Sequence, residues 1–262
     1  MSRCLAIDVG NTSTTLGVVD GLHVLARGHV HGGIDAIDEV LRLLNRFQSK
    51  HPFDGAVLAS VVPGVNRRWE KCIKGHTGSG PLLLTHTVKL VVGIDYPHPE
   101  TIGADRLANA CAAVALHGAP VIVADFGTAL TFDVVGASGN YRGGVIAPGL
   151  PLMTDYLAER TALLPLISPK GRCERVGRSS EGAMRIGARI GYRGMIREIT
   201  AYLRAQRGME HAVCCATGGF AGWVLKDGGL DYKLDPDLTL KGLGVVYDLN
   251  RGTGVKKPQH IV

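Results

Sequence analysis

The six cysteines, Cys4, Cys72, Cys111, Cys173, Cys214 and Cys215, form no C-x-x-C pair. That excludes the usual redox and zinc-ribbon spacings, and it fits thiols kept reduced in a cytoplasm. No apolar run approaches the roughly 18 residues of a membrane span. Nor is a signal peptide expected, because the apolar stretch after Met1 is only Cys4 to Ile7 before Asp8 interrupts it. Ten histidines include no H-x-x-x-H or H-E-x-x-H pair, and no G-x-S-x-G elbow exists. A zinc hydrolase and a serine hydrolase are both disfavoured. Long basic runs are missing too. The net charge is +6, but Arg67-Arg68 and Lys256-Lys257 are too short to argue for nucleic acid. The expected partner is a small anionic molecule, with no nucleic acid and no membrane.

What is present suits a packed globular protein. The chain has 262 residues, 45% of them hydrophobic and 20% charged, about right for two domains of roughly 100 to 150 residues. Residues 4–9 read as a strand that ends on Asp8-Val9-Gly10 and runs into Asn11, Thr12, Ser13 and Thr14. Thr15–Val19 reads as a second strand, Asp20-Gly21 as a hairpin turn, and His23–Ala26 as a third strand. Ile34, Ile37, Val40, Leu41, Leu44 and Phe47 recur at helical spacing, which predicts a helix over 34–48. Short strands follow at 55–61 and 81–85. A helix runs from near Ala104 to Gly118, polar only at Asp105, Arg106, Asn109 and His117. Such a helix is buried on several sides, in a core or in a subunit interface. His29 and His31 put two imidazoles on one strand face, without a third ligand nearby.

After Gly118 the opening theme returns. Residues 121–136, "VIVADFGTALTFDVVG", again give an apolar strand, an acid, a glycine and a hydroxyl. Asp125 follows Asp8 by 117 residues, and "GNYRGGVIAPG" supplies a returning strand. This reads as a duplication of one mixed α/β unit: residues 1–117, then 118–250, then a basic tail over 251–262.

The strand–Asp–x–Gly–polar turn, used twice, is suited to phosphate. The usual cradle is missing: "GHTGSG" at 75–80 has Pro81 where a Lys belongs, and no G-x-G-x-x-G follows a strand. Gly10 and Gly127 let backbone approach a ligand, and Thr12, Ser13, Thr14 and Thr128 can donate to anionic oxygens. A carboxylate facing a phosphate needs a cation between them, normally Mg²⁺ with water kept on it. Two such turns could clamp an ATP polyphosphate; the alternative is that Asp8 and Asp125 only cap turns. Thr217-Gly218-Gly219, after the strand at 213–217, adds a third place where a nucleotide can pass close to backbone.

Taken in order, Asp8–Thr15, Gly103-Ala104-Asp105-Arg106, Asp125-Phe126-Gly127-Thr128, "YRGGVIAPG" (141–149), Thr217-Gly218-Gly219 and "LTLKGL" (238–243) resemble the motifs of type III pantothenate kinases. The resemblance covers about residues 3 to 250. It implies an α/β fold of two duplicated ribonuclease H-like domains, the actin-like ATPase fold. The implied activity is ATP-dependent phosphorylation of pantothenate to 4′-phosphopantothenate, the first step toward coenzyme A, by a cytoplasmic homodimer.

The resemblance also implies roles. Asp8, Val9, Gly10, Asn11, Thr12, Ser13, Thr14 and Thr15 form the first ATP turn, with Asp8 meeting Mg²⁺ through phosphate or water. Thr128 contacts ATP in the second turn, and Asp125 binds a monovalent cation, K⁺ or NH₄⁺. Tyr96, Gly103, Ala104, Asp105 and Arg106 line the pantothenate site, with Asp105 as proton acceptor; locally, Asp105 also reads as a helix-start acid paired with Arg106 or solvated. Ser180 stands where the family usually has Thr. Two alternatives remain: another small-molecule kinase or phosphatase of the superfamily, and a catalytically inactive regulatory relative. "YPHPETIGADR" speaks against the first, and retention of Asp8, Asp105 and Asp125 against the second.

Overall fold

A computed structural model describes residues 3–31, 33–171, 173–226 and 229–251, with the side chains at 33 and 34 outside that description. Of the tail expected over 251–262, only residue 251 falls within it, and the Ile34 side chain counted in the helical pattern falls outside it. The described chain divides into two compact units: those of Met1–Leu116 with Asp237–Val262, and His117–Pro236.

The first unit contains β1 (Cys4–Val9), β2 (Ser13–Asp20), β3 (His23–His31), α1 (Ile37–Lys50), β4 (Gly55–Ser60), α2 (Asn66–Thr77), the short β5 (Leu82–Leu83) and β6 (Gly93–Ile94), and α3 (Ala104–His117). Its sheet has the order β3-β2-β1-β4-β5. β1 is antiparallel to β2 and parallel to β4, so β1 lies inside the sheet and is buried on both faces. Leu5, Ile7 and Val9 of β1 meet Val40, Leu44 and Phe47 of α1 and Trp69 and Ile73 of α2 in one core. Each such buried side chain contributes about 1.5–3 kcal/mol relative to exposure.

The second unit contains β7 (Val121–Phe126), β8 (Ala129–Val135), β9 (Asn140–Pro148), α4 (Leu150–Arg160), α5 (Ser180–Ile186), a π-helical stretch at Gly187–Gly191, α6 (Tyr192–Arg204), β10 (Val213–Thr217), α7 (Ala221–Leu225) and β11 (Lys233–Leu234). Its strands run β9-β8-β7-β10-β11, the order of the first sheet repeated. The register repeats as well. Asp8 lies opposite Thr15 on the antiparallel side and Ala59 on the parallel side. Asp125 lies opposite Thr131 and Thr217.

The last helix, α8 (Leu238–Asn250), belongs to the first unit, which departs from a second half running to residue 250. The reason is packing: Leu240 and Leu243 are buried, and Thr239 Oγ1 donates to Asn109 Oδ1 at 2.8 Å. A Cβ at Gly242 would stand 1.9 Å from the Ala108 carbonyl oxygen, so only glycine lets α8 lie this close to α3. The apolar perimeter of α3 is buried within the chain; Leu107 to Ala113 are at most 1% exposed.

Elsewhere the expectations are exceeded or adjusted. β3 continues to His31, five residues beyond the expected end, by pairing along the whole of β2. The helix expected at 34–48 starts at Ile37 after a 3₁₀ turn at Gly33–Ala36.

Candidate active site

Strand alternation decides which side chains leave the cores. Leu5, Ile7 and Val9 face the helices of the first core, so Asp8 projects from the opposite face of the sheet. The same parity sends Leu16 and Val18 to the core and Ser13 and Thr15 to the face of Asp8. The turn between β1 and β2 is closed by the Gly10 N–H donating to the Ser13 carbonyl at 3.0 Å. Asn11 and Thr12 at its tip are exposed, and Ser13 and Thr15 are half-buried. Thr14 behaves differently: it is fully buried, and its Oγ1 has no hydrogen-bond partner among the described residues. Its hydroxyl is thus on the core side, while its neighbours offer theirs outward.

The second turn is built alike but is one residue shorter. The Gly127 N–H donates to the Ala129 carbonyl at 3.1 Å, and Thr128 is exposed. Ile122, Ala124 and Phe126 face the second core, which leaves Asp125 on the other face beside Thr131 and Thr217. The Thr217-Gly218-Gly219 segment closes over this acid. Gly218 adopts φ +93°, and a Cβ there would lie 2.5 Å from Asp125 Oδ1 and 2.6 Å from the Phe126 nitrogen. From the other side, the Gly149 position of "APG" lies against the Thr128 carbonyl, 2.1 Å from where a Cβ would stand. Sequence reading singled out both glycine segments without showing that they converge on one turn. Burial, with the Asp125 charge adding to it, pushes the Tyr192 hydroxyl well above its usual pKa. Asp125 beside Thr131 and Thr217, with the Gly218 backbone against its Oδ1, is an oxygen-donor set of the kind a monovalent cation takes. Among the described residues no three or more His, Cys, Asp or Glu gather into a metal cluster.

The candidate substrate residues sit at the start of α3 in the first unit. Pro99–Thr101 makes a 3₁₀ turn, and Tyr96 before it is half-buried. Asp105 occupies the first turn of α3, and its Oδ1 accepts the Arg106 N–H at 2.8 Å. A Cβ at Gly103 would be 2.6 Å from that same oxygen, so a side chain there would displace the carboxylate. Burial raises the Asp105 pKa above the ordinary carboxylate value, against the lowering effect of the Arg106 N–H and guanidinium. Desolvation is the largest influence on this acid and makes the carboxylate a stronger base than an exposed one.

In the second unit, Ser179 is the N-cap of α5, its Oγ accepting the Gly182 N–H at 3.1 Å. Ser180 comes one residue later and is exposed. The capping bond engages the Ser179 hydroxyl, while the hydroxyl of Ser180 is not used by the cap. His98 is a surface residue of a turn, its Nδ1 3.5 Å from Glu100 Oε1. Two cavities, of about 340 and 220 Å³, are lined by residues such as Val145 and Tyr202, and Arg204 and Lys233, and include none of the expected site residues.

A duplicated ribonuclease H-like sheet with an acid–glycine–hydroxyl turn in each copy is the actin-like ATPase fold. A solved activator of 2-hydroxyisocaproyl-CoA dehydratase from Clostridium difficile, with ADPNP bound, shares this fold. The likeness has a TM-score of 0.56 at 8% identity, over 98% of this chain and 99% of that one. Residues 4–202 match the type III pantothenate kinase family, and the chain belongs to it. A type III pantothenate kinase of Akkermansia muciniphila is 48% identical over 198 residues, covering 76% of this chain and 80% of that protein. One from Moorella thermoacetica is 36% identical over 252 residues, covering 94% and 99%.

Proposed function

We propose that the protein transfers the γ-phosphoryl group of ATP to the 4′-hydroxyl of pantothenate, giving 4′-phosphopantothenate in coenzyme A biosynthesis. Family membership over residues 4–202, with Asp8, Asp105 and Asp125 all retained, carries this reading. In this reading Asp8–Thr15 and Thr128 contact ATP, and Asp8 orients Mg²⁺ through water or phosphate. Asp125, beside Thr131, Thr217 and the bare Gly218 backbone, holds K⁺ or NH₄⁺. The cations supply charge neutralisation around the phosphates. Tyr96, Gly103–Arg106 and Ser180 hold pantothenate.

Phosphoryl transfer has a loose transition state, so positioning and charge neutralisation dominate. Asp105 needs only to take the hydroxyl proton late. Its raised proton affinity suits that role, since a base tuned upward toward working pH accepts more readily. The enzyme is proposed to work in the cytoplasm; no described helix is long and apolar enough to cross a membrane.

A homodimer is proposed as well. Because Leu107 to Ala113 of α3 are buried within one chain, support comes instead from the second unit, where Ile146, Tyr156, Leu163 and Leu166 are 53–89% exposed. ADP release measured with and without pantothenate tests the central reading. Release that is indifferent to pantothenate, but stimulated by a sugar, would assign the site to another kinase of this fold.

A further inference from the structure

Two imidazoles stand beside the first turn, on β3. The ladder sets His29 opposite Thr15 and His31 opposite Ser13. Thr15 Oγ1 and His29 Nδ1 are hydrogen-bonded at 3.2 Å, and the two rings meet edge to face with centroids 4.8 Å apart. Val30 between them is buried in the core, so both rings lie on the face that carries Asp8 and Thr15.

We propose that His29 is a positioning residue for the nucleotide: its Nδ1 holds the Thr15 hydroxyl, and a proton on Nδ1 releases that hydroxyl's own hydrogen for a phosphate oxygen. The inference rests on Thr15 being an ATP contact. A hydroxyl has one hydrogen to give. When Nδ1 is bare, it accepts that hydrogen, and Thr15 presents only lone pairs to an approaching phosphate. When Nδ1 carries a proton, it donates to Oγ1, and the Thr15 hydrogen turns outward. Two forms of the ring do this: the neutral Nδ1–H tautomer and the imidazolium. The imidazolium also adds positive charge near an anion. Bound nucleotide therefore selects the Nδ1–H forms and, by linkage, raises the ring's proton affinity.

The surroundings leave that choice open in the free protein. Partial burial, followed by His31 and Arg27 on the same strand, holds the His29 pKa below its ordinary value, while Glu39 of α1 pulls it up.

The test is ¹⁵N NMR of the imidazoles across pH 5.5–8.5, with and without Mg²⁺ and a non-hydrolysable ATP analogue. Saturation with the analogue is expected to shift His29 toward Nδ1–H and raise its proton affinity about five-fold, the scale of one hydrogen bond. His29→Ala should weaken analogue binding by a similar factor at pH 6 and by less at pH 8.5. Thr15→Val should weaken it too, and should remove the effect of adding His29→Ala. If Thr15→Val weakens binding while His29 keeps its tautomer and titration on saturation, the positioning role is overturned and the ATP turn stands. If Thr15→Val leaves affinity unchanged, the assignment of Thr15 to ATP fails and takes this inference with it.

Discussion

Asp105→Asn separates two properties of one side chain. Asparagine keeps the shape, and its Oδ1 can accept the Arg106 N–H that Asp105 Oδ1 accepts at 2.8 Å. What it loses is the charge and most of the proton affinity. A general base contributes on the order of 10² to 10⁴ in rate, or about 3–5 kcal/mol of barrier; kcat should fall by that factor. The ATP requirement should hardly change, because Asp8–Thr15 and Thr128 are the proposed ATP contacts.

Stability should move the other way. Burial raises the Asp105 pKa, so the folded state binds its proton more tightly than the unfolded chain does. Ionisation at neutral pH then weighs against folding, a burden absent below the unfolded carboxyl's pKa of about 4 and complete above the folded one. The variant is expected to melt at or above the wild-type temperature at pH 7.5, and the gap should close toward pH 4. Asp105→Ala, which also drops the Arg106 bond, gives up about 1 kcal/mol of that gain. A coupled ADP assay and thermal melts read both effects. Retention of more than about a third of kcat, far above the general-base range, would refute the base; a clearly lower melting temperature for Asp105→Asn at pH 7.5 would refute the burial argument.

Removing K⁺ and NH₄⁺ should depress the rate strongly, and Asp125→Ala should abolish stimulation by either ion; full activity in Na⁺ alone would contradict the cation role. Asp8→Asn should raise the Mg·ATP requirement as well as lower kcat, read in a Mg²⁺ titration. Gly242→Ala drives a methyl into the Ala108 carbonyl and should cost about 1–3 kcal/mol or more, several degrees in the melt. Leu163→Glu with Leu166→Glu should turn the proposed dimer into a monomer by light scattering, since those two side chains are 89% and 72% exposed; an unchanged dimer would place the interface elsewhere.

The duplication was readable because it lies in local chemistry. An apolar strand, an acid and a glycine recur 117 residues apart, and the sheet orders and the registers of Asp8 and Asp125 repeat accordingly. Asp105 was legible as a helix-start acid, but its raised pKa was not, since desolvation depends on what the fold brings around it. Gly218 closing on Asp125 is likewise a contact across 93 residues of chain that no local pattern records. α2 escaped the periodic reading because only Trp69 and Ile73 of its twelve residues are buried, amid charge. α8 was singled out by motif and placed by proximity in sequence; its glycines and Leu240 fit the first unit instead.

That return of α8 bears on the order in which the chain acquires its structure during synthesis. The second unit is one continuous segment, His117–Pro236, and leaves the ribosome before the residues that complete the first. The first unit, although its strands emerge earliest, waits for Asp237 onward. Until then Gly17 and Gly55 lack the Leu240 and Tyr247 side chains that close over them, and Ala108 lacks Gly242. The nascent amino-terminal half therefore carries an uncovered apolar sheet face while more than a hundred further residues are made, and such a face is what chaperones bind. A chain stopped at Pro236 should leave the later unit able to fold and the earlier one dependent on a helix supplied in trans.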